Sequence, residues 1–192
     1  MTKIRSRPEW HDYFMLLAKL ISTRSTCNSR PTGAIIVRNN HILSTGYNGA
    51  VPNTPHCTEC AQTAQNRPYC RRREMGISDA DKQLWCASSH AESNAIAQAA
   101  RLGIAIEGGT IYSTLSPCYT CLKLLATARI QEIYYEHSYD SKDKKRDEFW
   151  VNAIEECGIK VYQQITISED TLNYIMPFMT GITSKRILEA TK

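Results

Sequence analysis

Two short segments constrain this chain more than anything else in it: His90-Ala91-Glu92 and Pro117-Cys118-Tyr119-Thr120-Cys121. Between them they supply one imidazole, two thiols and one carboxylate. Soft nitrogen and sulfur donors of this kind suit a tetrahedral zinc ion. Three protein ligands leave the fourth position open, the arrangement of a catalytic rather than a structural site. Each segment opens a run with helical spacing, so a fold that uses both must bring two helix starts to one point.

Cys118 and Cys121 sit three residues apart at a helix start, so their side chains share one face. Unpaired N–H groups and the helix dipole there favour thiolates. His90 can reach the same point from the other helix. Glu92, two residues on, does not lie beside His90 on a regular helix and reads as reaching for the metal's water. Zinc brings the pKa of such water to about 7. Glu92 is then placed to move protons between the water and a substrate ring. A lone C-x-x-C would equally suit a structural half-site or a redox pair, but neither has a use for the histidine–glutamate segment.

Eight cysteines are many for a chain whose first residues, Met1 to Pro8, are basic but lack the apolar core and cleavage site of a signal peptide. Disulfides are disfavoured in a reducing cytoplasm, so metal binding is the natural use of the clustered cysteines. The chain is expected to remain in the cytoplasm where it is made, a host's cytoplasm if it is viral. At 192 residues it is expected to form a single domain, 1–192, with a core of ordinary size. No apolar run approaches the 18–20 residues or so that cross a bilayer, so no membrane partner is expected. The net charge of +4 suits a small anionic substrate and is modest for a nucleic-acid binder. The basic clusters Arg71-Arg72-Arg73 and Lys142 to Arg146 read as solvated loop charge.

Pro8 to about Thr23 is predicted helical, with Trp10, Phe14, Leu17 and Ile21 forming an apolar face. Gly33 to Val37 reads as a buried strand, Asn39-Asn40 as a hairpin turn and His41 to Tyr47 as the returning strand. From about 50 to 89 periodicity is lost across a cysteine-bearing insertion, too long to stay structureless unless a metal ties it. Helices are expected at His90–Leu102, Cys118–Ala128 and Asp147–Cys157, and strands at Thr110–Thr114, Ile130–Tyr135 and Ile159–Ile165. A short helix and tail close the chain. This alternation argues for an α/β layered sheet.

The pair H-x-E and P-C-x-x-C matches the known signature of zinc nucleobase deaminases. With Ser25-Thr26-Cys27, Thr45-Gly46-Tyr47-Asn48-Gly49, Pro55-His56-Cys57-Thr58-Glu59 and Thr114-Leu115-Ser116-Pro117-Cys118, the chain resembles the deoxycytidylate deaminases of bacteria and tailed phages from about Trp10 to Val161. The resemblance implies a three-layer cytidine deaminase-like fold with a five-stranded mixed sheet, and hydrolysis of dCMP to dUMP and ammonia. It also implies a homohexamer, activation by dCTP, inhibition by dTTP, and Mg(2+) accompanying the triphosphate. His90, Cys118 and Cys121 would hold the catalytic zinc. A second, structural zinc would fall to Cys27, Cys57, Cys70 and Cys86, with Cys60 or His56 as alternatives. Asn48, Tyr139, Ala91 and Asn94 would lie against the substrate, although Asn48 also reads as a turn residue and Asn94 as a helix-surface one.

The rival readings are a dCTP or dual dCMP/dCTP deaminase, an editing deaminase acting on tRNA or single-stranded DNA, and a non-catalytic zinc module. Aromatic residues make up only 8% of the chain and do not interleave with arginine, so no stable nucleic-acid partner is expected. Glu92 argues against the non-catalytic module.

Overall fold

The structure is a computed structural model describing residues 7–60, 69–78, 82–138 and 144–180. The first helix, α1 (Trp10–Ser22), leads into a hairpin of β1 (Gly33–Arg38) and β2 (His41–Tyr47). Asn39 and Asn40 turn the hairpin with φ of 52° and 61°, the left-handed pair that a two-residue turn demands. The register shifts between Ile36 and Val37, leaving Leu43 as an extra residue on β2.

The insertion is less irregular than its sequence suggests. It begins at β3 (Gly49–Ala50) and ends at β4 (Ser88–Ser89), which pair antiparallel and close its two ends. Between them lie a 3-10 turn at Cys57–Glu59 and two single-turn helices, α2 (Arg71–Glu74) and α3 (Lys82–Trp85). Neither the two-residue strands nor the single-turn helices are long enough to impose a hydrophobic period, so backbone pairing orders what the pattern cannot reveal.

The rest alternates as expected: α4 (Ala91–Leu102), β5 (Thr110–Leu115), α5 (Tyr119–Thr127), β6 (Glu132–His137), α6 (Lys144–Glu156), β7 (Val161–Gln164) and α7 (Glu169–Met179). The sheet order is β2-β1-β5-β6-β7. Strand β1 is antiparallel to both β2 and β5, whereas β5, β6 and β7 run parallel, so the five-stranded sheet is mixed. Gly103 ends α4 in the left-handed conformation, φ 66°. Among the described residues no helix is long and apolar enough to cross a membrane.

Two apolar cores make this a three-layer molecule. On one face α1 buries Phe14, Met15 and Ala18 against Ile35, Val37, Tyr112 and Tyr134. On the other, alanines of α4 and Leu122 and Leu125 of α5 pack with Ile36, Ile111 and Ile133, and Ile154 of α6 joins them. Successive strand residues therefore serve opposite layers. The apolar face of α1 is offset from the expected one: Trp10 is 47% exposed and stacks on Phe14, while Met15 and Ala18 are fully buried. The cause is Gly33, where a Cβ would meet the Ala18 carbonyl oxygen at 2.2 Å. Helix and strand approach backbone to backbone there, so the smallest side chains line the contact.

Candidate active site

Both motif segments sit just before helices. His90 is the N-cap residue of α4 and Cys118 that of α5, each with an extended backbone. This puts Glu92 in the first turn of α4 and Cys121 in the first turn of α5, with the positive ends of both helix dipoles converging. The ligand atoms of His90, Cys118 and Cys121 all lie within 4.8 Å of one another. Each sulfur stands 3.4 Å from His90 Nδ1. A tetrahedral zinc with ordinary Zn–S and Zn–N bonds separates such atoms by about 3.5 Å. The donor set and its spacing therefore fit zinc.

Glu92 is 4% exposed, and one carboxylate oxygen accepts from Cys121 Sγ at 3.6 Å. Burial pushes its carboxyl above the ordinary carboxylate range, with His90 opposing the shift. Cys118 is drawn well below the usual thiol value by the hydrogen bond from Cys121, against its own burial and with help from His90. Cys121 is raised by the same bond, then by burial and by Glu92. Ser93 Oγ lies 3.7 Å from Cys121 Sγ, a contact the motif does not disclose.

A cavity opens beside this cluster, with His90, Ala91, Glu92 and Cys118 in its wall. Asn48 also lines it, but its amide is largely committed to the protein: Oδ1 accepts from Ser25 Oγ at 2.6 Å and from the Thr32 N–H at 2.8 Å, and Nδ2 donates to the Arg30 carbonyl at 2.8 Å. It pins the loop before β1 and keeps one N–H for other use. Asn94 is not among the residues lining the cavity, and its amide donates to the Tyr47 carbonyl at 2.8 Å, tying α4 to β2. Tyr139 and Lys142 lie outside the described residues.

Cys27, Cys70 and Cys86 line the same cavity, on its insertion side. Cys57 feels all three: burial pushes its thiol up, Cys70, Cys27 and Cys86 add to this, and the Arg71 N–H opposes it through a hydrogen bond. Three of the four cysteines thus line one cavity, although among the described residues only His90, Cys118 and Cys121 come close enough together to hold a metal ion. Cys60 Sγ lies 3.4 Å from the His56 carbonyl oxygen, within the 3-10 turn.

The arginine cluster needs a correction. Arg72 is not solvated: it is 6% exposed, and its Nη1 donates to the carbonyls of Ile77 and Ser78 at 2.7 and 3.0 Å. Folding the insertion back on itself buries what a linear reading leaves in water.

The family described as the cytidine and deoxycytidylate deaminase zinc-binding region matches residues 8–137. The deoxycytidylate deaminase of Mycobacterium phage D29 is 33% identical over 131 residues, covering 68% of this chain and 96% of its own. That of Enterobacteria phage T4 is 32% identical over 183 residues, covering 82% and 91%. The chain spans about half the length of the deoxycytidylate deaminases of Schizosaccharomyces pombe and Saccharomyces cerevisiae, 46% and 45%. A crystal structure of dCMP deaminase from the cyanophage S-TIM5, in complex with dCMP and dUMP, superposes with a TM-score of 0.60 at 25% identity, covering 83% of this chain and 99% of that one. With the signature residues gathered at one end of a cavity and the match running through both helix starts, this chain belongs to the cytidine and deoxycytidylate deaminase family, as a deoxycytidylate deaminase of the phage type.

Proposed function

We propose that this chain hydrolyses dCMP to dUMP and ammonia. The observation that carries the reading is a buried carboxylate, Glu92, facing a His90/Cys118/Cys121 donor set at the end of a cavity. His90, Cys118 and Cys121 would hold the ion. Bound there, zinc would supply Lewis-acid activation of water at neutral pH.

The chain's own residues do the rest. Glu92 takes a proton from the attacking water and delivers it to N3 of the pyrimidine, then takes the proton of the new C4 hydroxyl and gives it to the departing amino group, leaving a C4 carbonyl. The balance is one water consumed and one ammonia released. A carboxyl whose pKa is raised by burial takes up and holds a proton more readily than a solvated one, as a group that carries protons between two sites must. Ala91, fully buried between His90 and Glu92, forms part of the cavity wall beside the reacting groups.

The reading extends to a structural zinc held by Cys27, Cys57, Cys70 and Cys86, supported by the placement of Cys27, Cys70 and Cys86 in the wall of one cavity. It also carries substrate contacts from Asn48, Ala91 and Tyr139, a homohexamer, activation by dCTP and inhibition by dTTP, with Mg(2+) on the triphosphate. The test is ammonia release from dCMP, dCTP, CMP and deoxycytidine, each with and without dCTP and dTTP as effectors. Turnover of dCMP above the other three supports the reading. Preference for dCTP transfers the function to a triphosphate deaminase, and turnover of none of them defeats it.

A further inference from the structure

Metal binding takes the protons from Cys118 and Cys121, because the ion is held by thiolates. A sulfur anion buried in the protein needs hydrogen bonds in place of the water it has lost. The two sulfurs meet that need differently. Cys118 accepts from the backbone N–H of Cys121, three residues on. Cys121 is the more enclosed of the two, 1% exposed against 8%, so its hydrogen bond has to come from the protein. Its contact with Glu92 is of the wrong kind once the thiol proton is gone. The ionised Glu92, in the state that accepts a proton from water, then faces a thiolate at 3.6 Å, and the two negative groups repel.

A donor comes from the next residue of α4. Ser93 Oγ lies 3.7 Å from Cys121 Sγ, reaching from the first turn of one helix to the first turn of the other. A thiolate has no hydrogen to give, so in the loaded site the serine hydroxyl is the donor. The start of α4 thus sets an imidazole nitrogen, a carboxylate oxygen and a hydroxyl at 3.4, 3.6 and 3.7 Å from one sulfur. The H-x-E pattern gives work to His90 and Glu92 and none to Ser93. Its half-buried hydroxyl is nevertheless fixed by the same helix start that brings the other two to the donor set.

We infer that Ser93 is a positioning residue of the catalytic centre: its hydroxyl donates to the Cys121 thiolate and weakens the electron donation of that sulfur to the ion. A hydrogen bond draws electron density from a ligating sulfur, so the ion keeps more of its Lewis acidity than two unrestrained thiolates would leave it. The same bond offsets the repulsion between Cys121 and Glu92, which favours the unprotonated cysteine that the metal requires. The inference rests on the proposed metal site and goes beyond it, naming a residue that tunes the chemistry through Cys121 without being a ligand itself.

The test compares the full chain as wild type, Ser93→Ala and Ser93→Thr, each loaded with Co(2+) in place of zinc. Alanine is at home in a helix, so Ser93→Ala keeps the fold, and threonine keeps the hydroxyl. The readout is the sulfur-to-cobalt charge-transfer absorption in the near ultraviolet, which moves with the electron donation of the thiolates. The band should shift to longer wavelength in Ser93→Ala and return to the wild-type position in Ser93→Thr. With zinc, Ser93→Ala should bind the metal about tenfold more weakly and lose about tenfold in kcat, while KM for dCMP stays within about twofold. A serine that merely packs α4 against α5 would leave the band where it is. An unmoved band in Ser93→Ala overturns the inference whatever the activity, and so does an equal shift in Ser93→Ala and Ser93→Thr. A shifted band with kcat unchanged overturns the catalytic part of it. A wild type that shows the band but deaminates no cytosine nucleotide defeats the proposed function, while the Ser93→Ala spectrum still decides whether the hydroxyl acts on the sulfur. A wild type without the band defeats the metal site and the inference together.

Discussion

Gly46 on β2 lies so close to Ala91 on α4 that a Cβ on the glycine would meet the Ala91 carbonyl oxygen at 2.1 Å and the Ala95 nitrogen at 2.5 Å. The atoms in the way are backbone and cannot swing aside. Ala91 stands between His90 and Glu92, so the depth at which α4 seats on β2 sets where the imidazole and the carboxylate arrive.

Gly46→Ala should therefore lift the start of α4 from the sheet. We expect a loss of about 3 kcal/mol in stability, read by thermal unfolding, together with weaker zinc retention and lower activity in whatever folds. Gly33→Ala makes a similar clash on the opposite layer, against Ala18 and Ser22 of α1. It should cost comparable stability but leave zinc binding intact in the folded fraction. Equal effects of both variants on zinc would show that seating α4 is not what positions the site.

Glu92→Gln keeps shape and removes the proton carrier. Zinc content by metal analysis should be unchanged, and deamination should fall roughly a hundred- to ten-thousand-fold. Normal turnover in this variant would sink the assigned role of Glu92.

Cys70→Ser and Cys86→Ser distinguish two zinc ions per chain from one. The wild type should carry two, each of these variants one, and Cys118→Ser should lose the other. One zinc per chain in the wild type, unaffected by Cys70→Ser and Cys86→Ser, leaves the insertion without a metal.

Asp12 joins α1 to the start of α7. Its Oδ2 accepts from Thr171 Oγ1 at 2.6 Å, from Ser168 Oγ at 2.7 Å and from the Ser168 N–H at 3.2 Å. Burial raises the Asp12 carboxyl, but hydrogen bonds from Thr171 and Ser168, with His11 nearby, outweigh it and hold the group below the ordinary carboxylate value. A carboxyl depressed in the folded state stabilises above its unfolded pKa of about 3.9 and loses that contribution as pH falls through the lower folded value. Docking of α7 should therefore weaken below about pH 4, seen as faster proteolysis or amide exchange in Glu169–Met179. Asp12→Asn should loosen that helix by roughly 1 kcal/mol at neutral pH and remove the acid dependence. Unchanged exchange in Asp12→Asn would show that apolar contacts alone hold α7.

Spacing carries a long way in this chain. The grouping of His90, Cys118 and Cys121 was legible because H-x-E and P-C-x-x-C are local: each sits within one helix start, where side-chain directions follow from backbone geometry. The alternation of helices and strands was legible for the same reason, as were the Asn39-Asn40 turn and the end of α4 at Gly103. The burial of Arg72 was not, because it depends on where a turn without periodicity folds back. Nor was the commitment of the Asn48 amide to Ser25, Thr32 and Arg30, partners up to 23 residues away.

By itself, then, the sequence determined which donor atoms the chain can offer to a metal, and the order of helices and strands that carries them. Those properties are set by neighbours along the chain. Only the tertiary structure decided that Gly33 and Gly46 seat helices on opposite faces of one sheet, and that the insertion places Arg72 and Arg73 in the wall of the cavity beside His90 and Glu92. Each of these is a contact between residues distant in the chain, fixed by packing that no local pattern encodes.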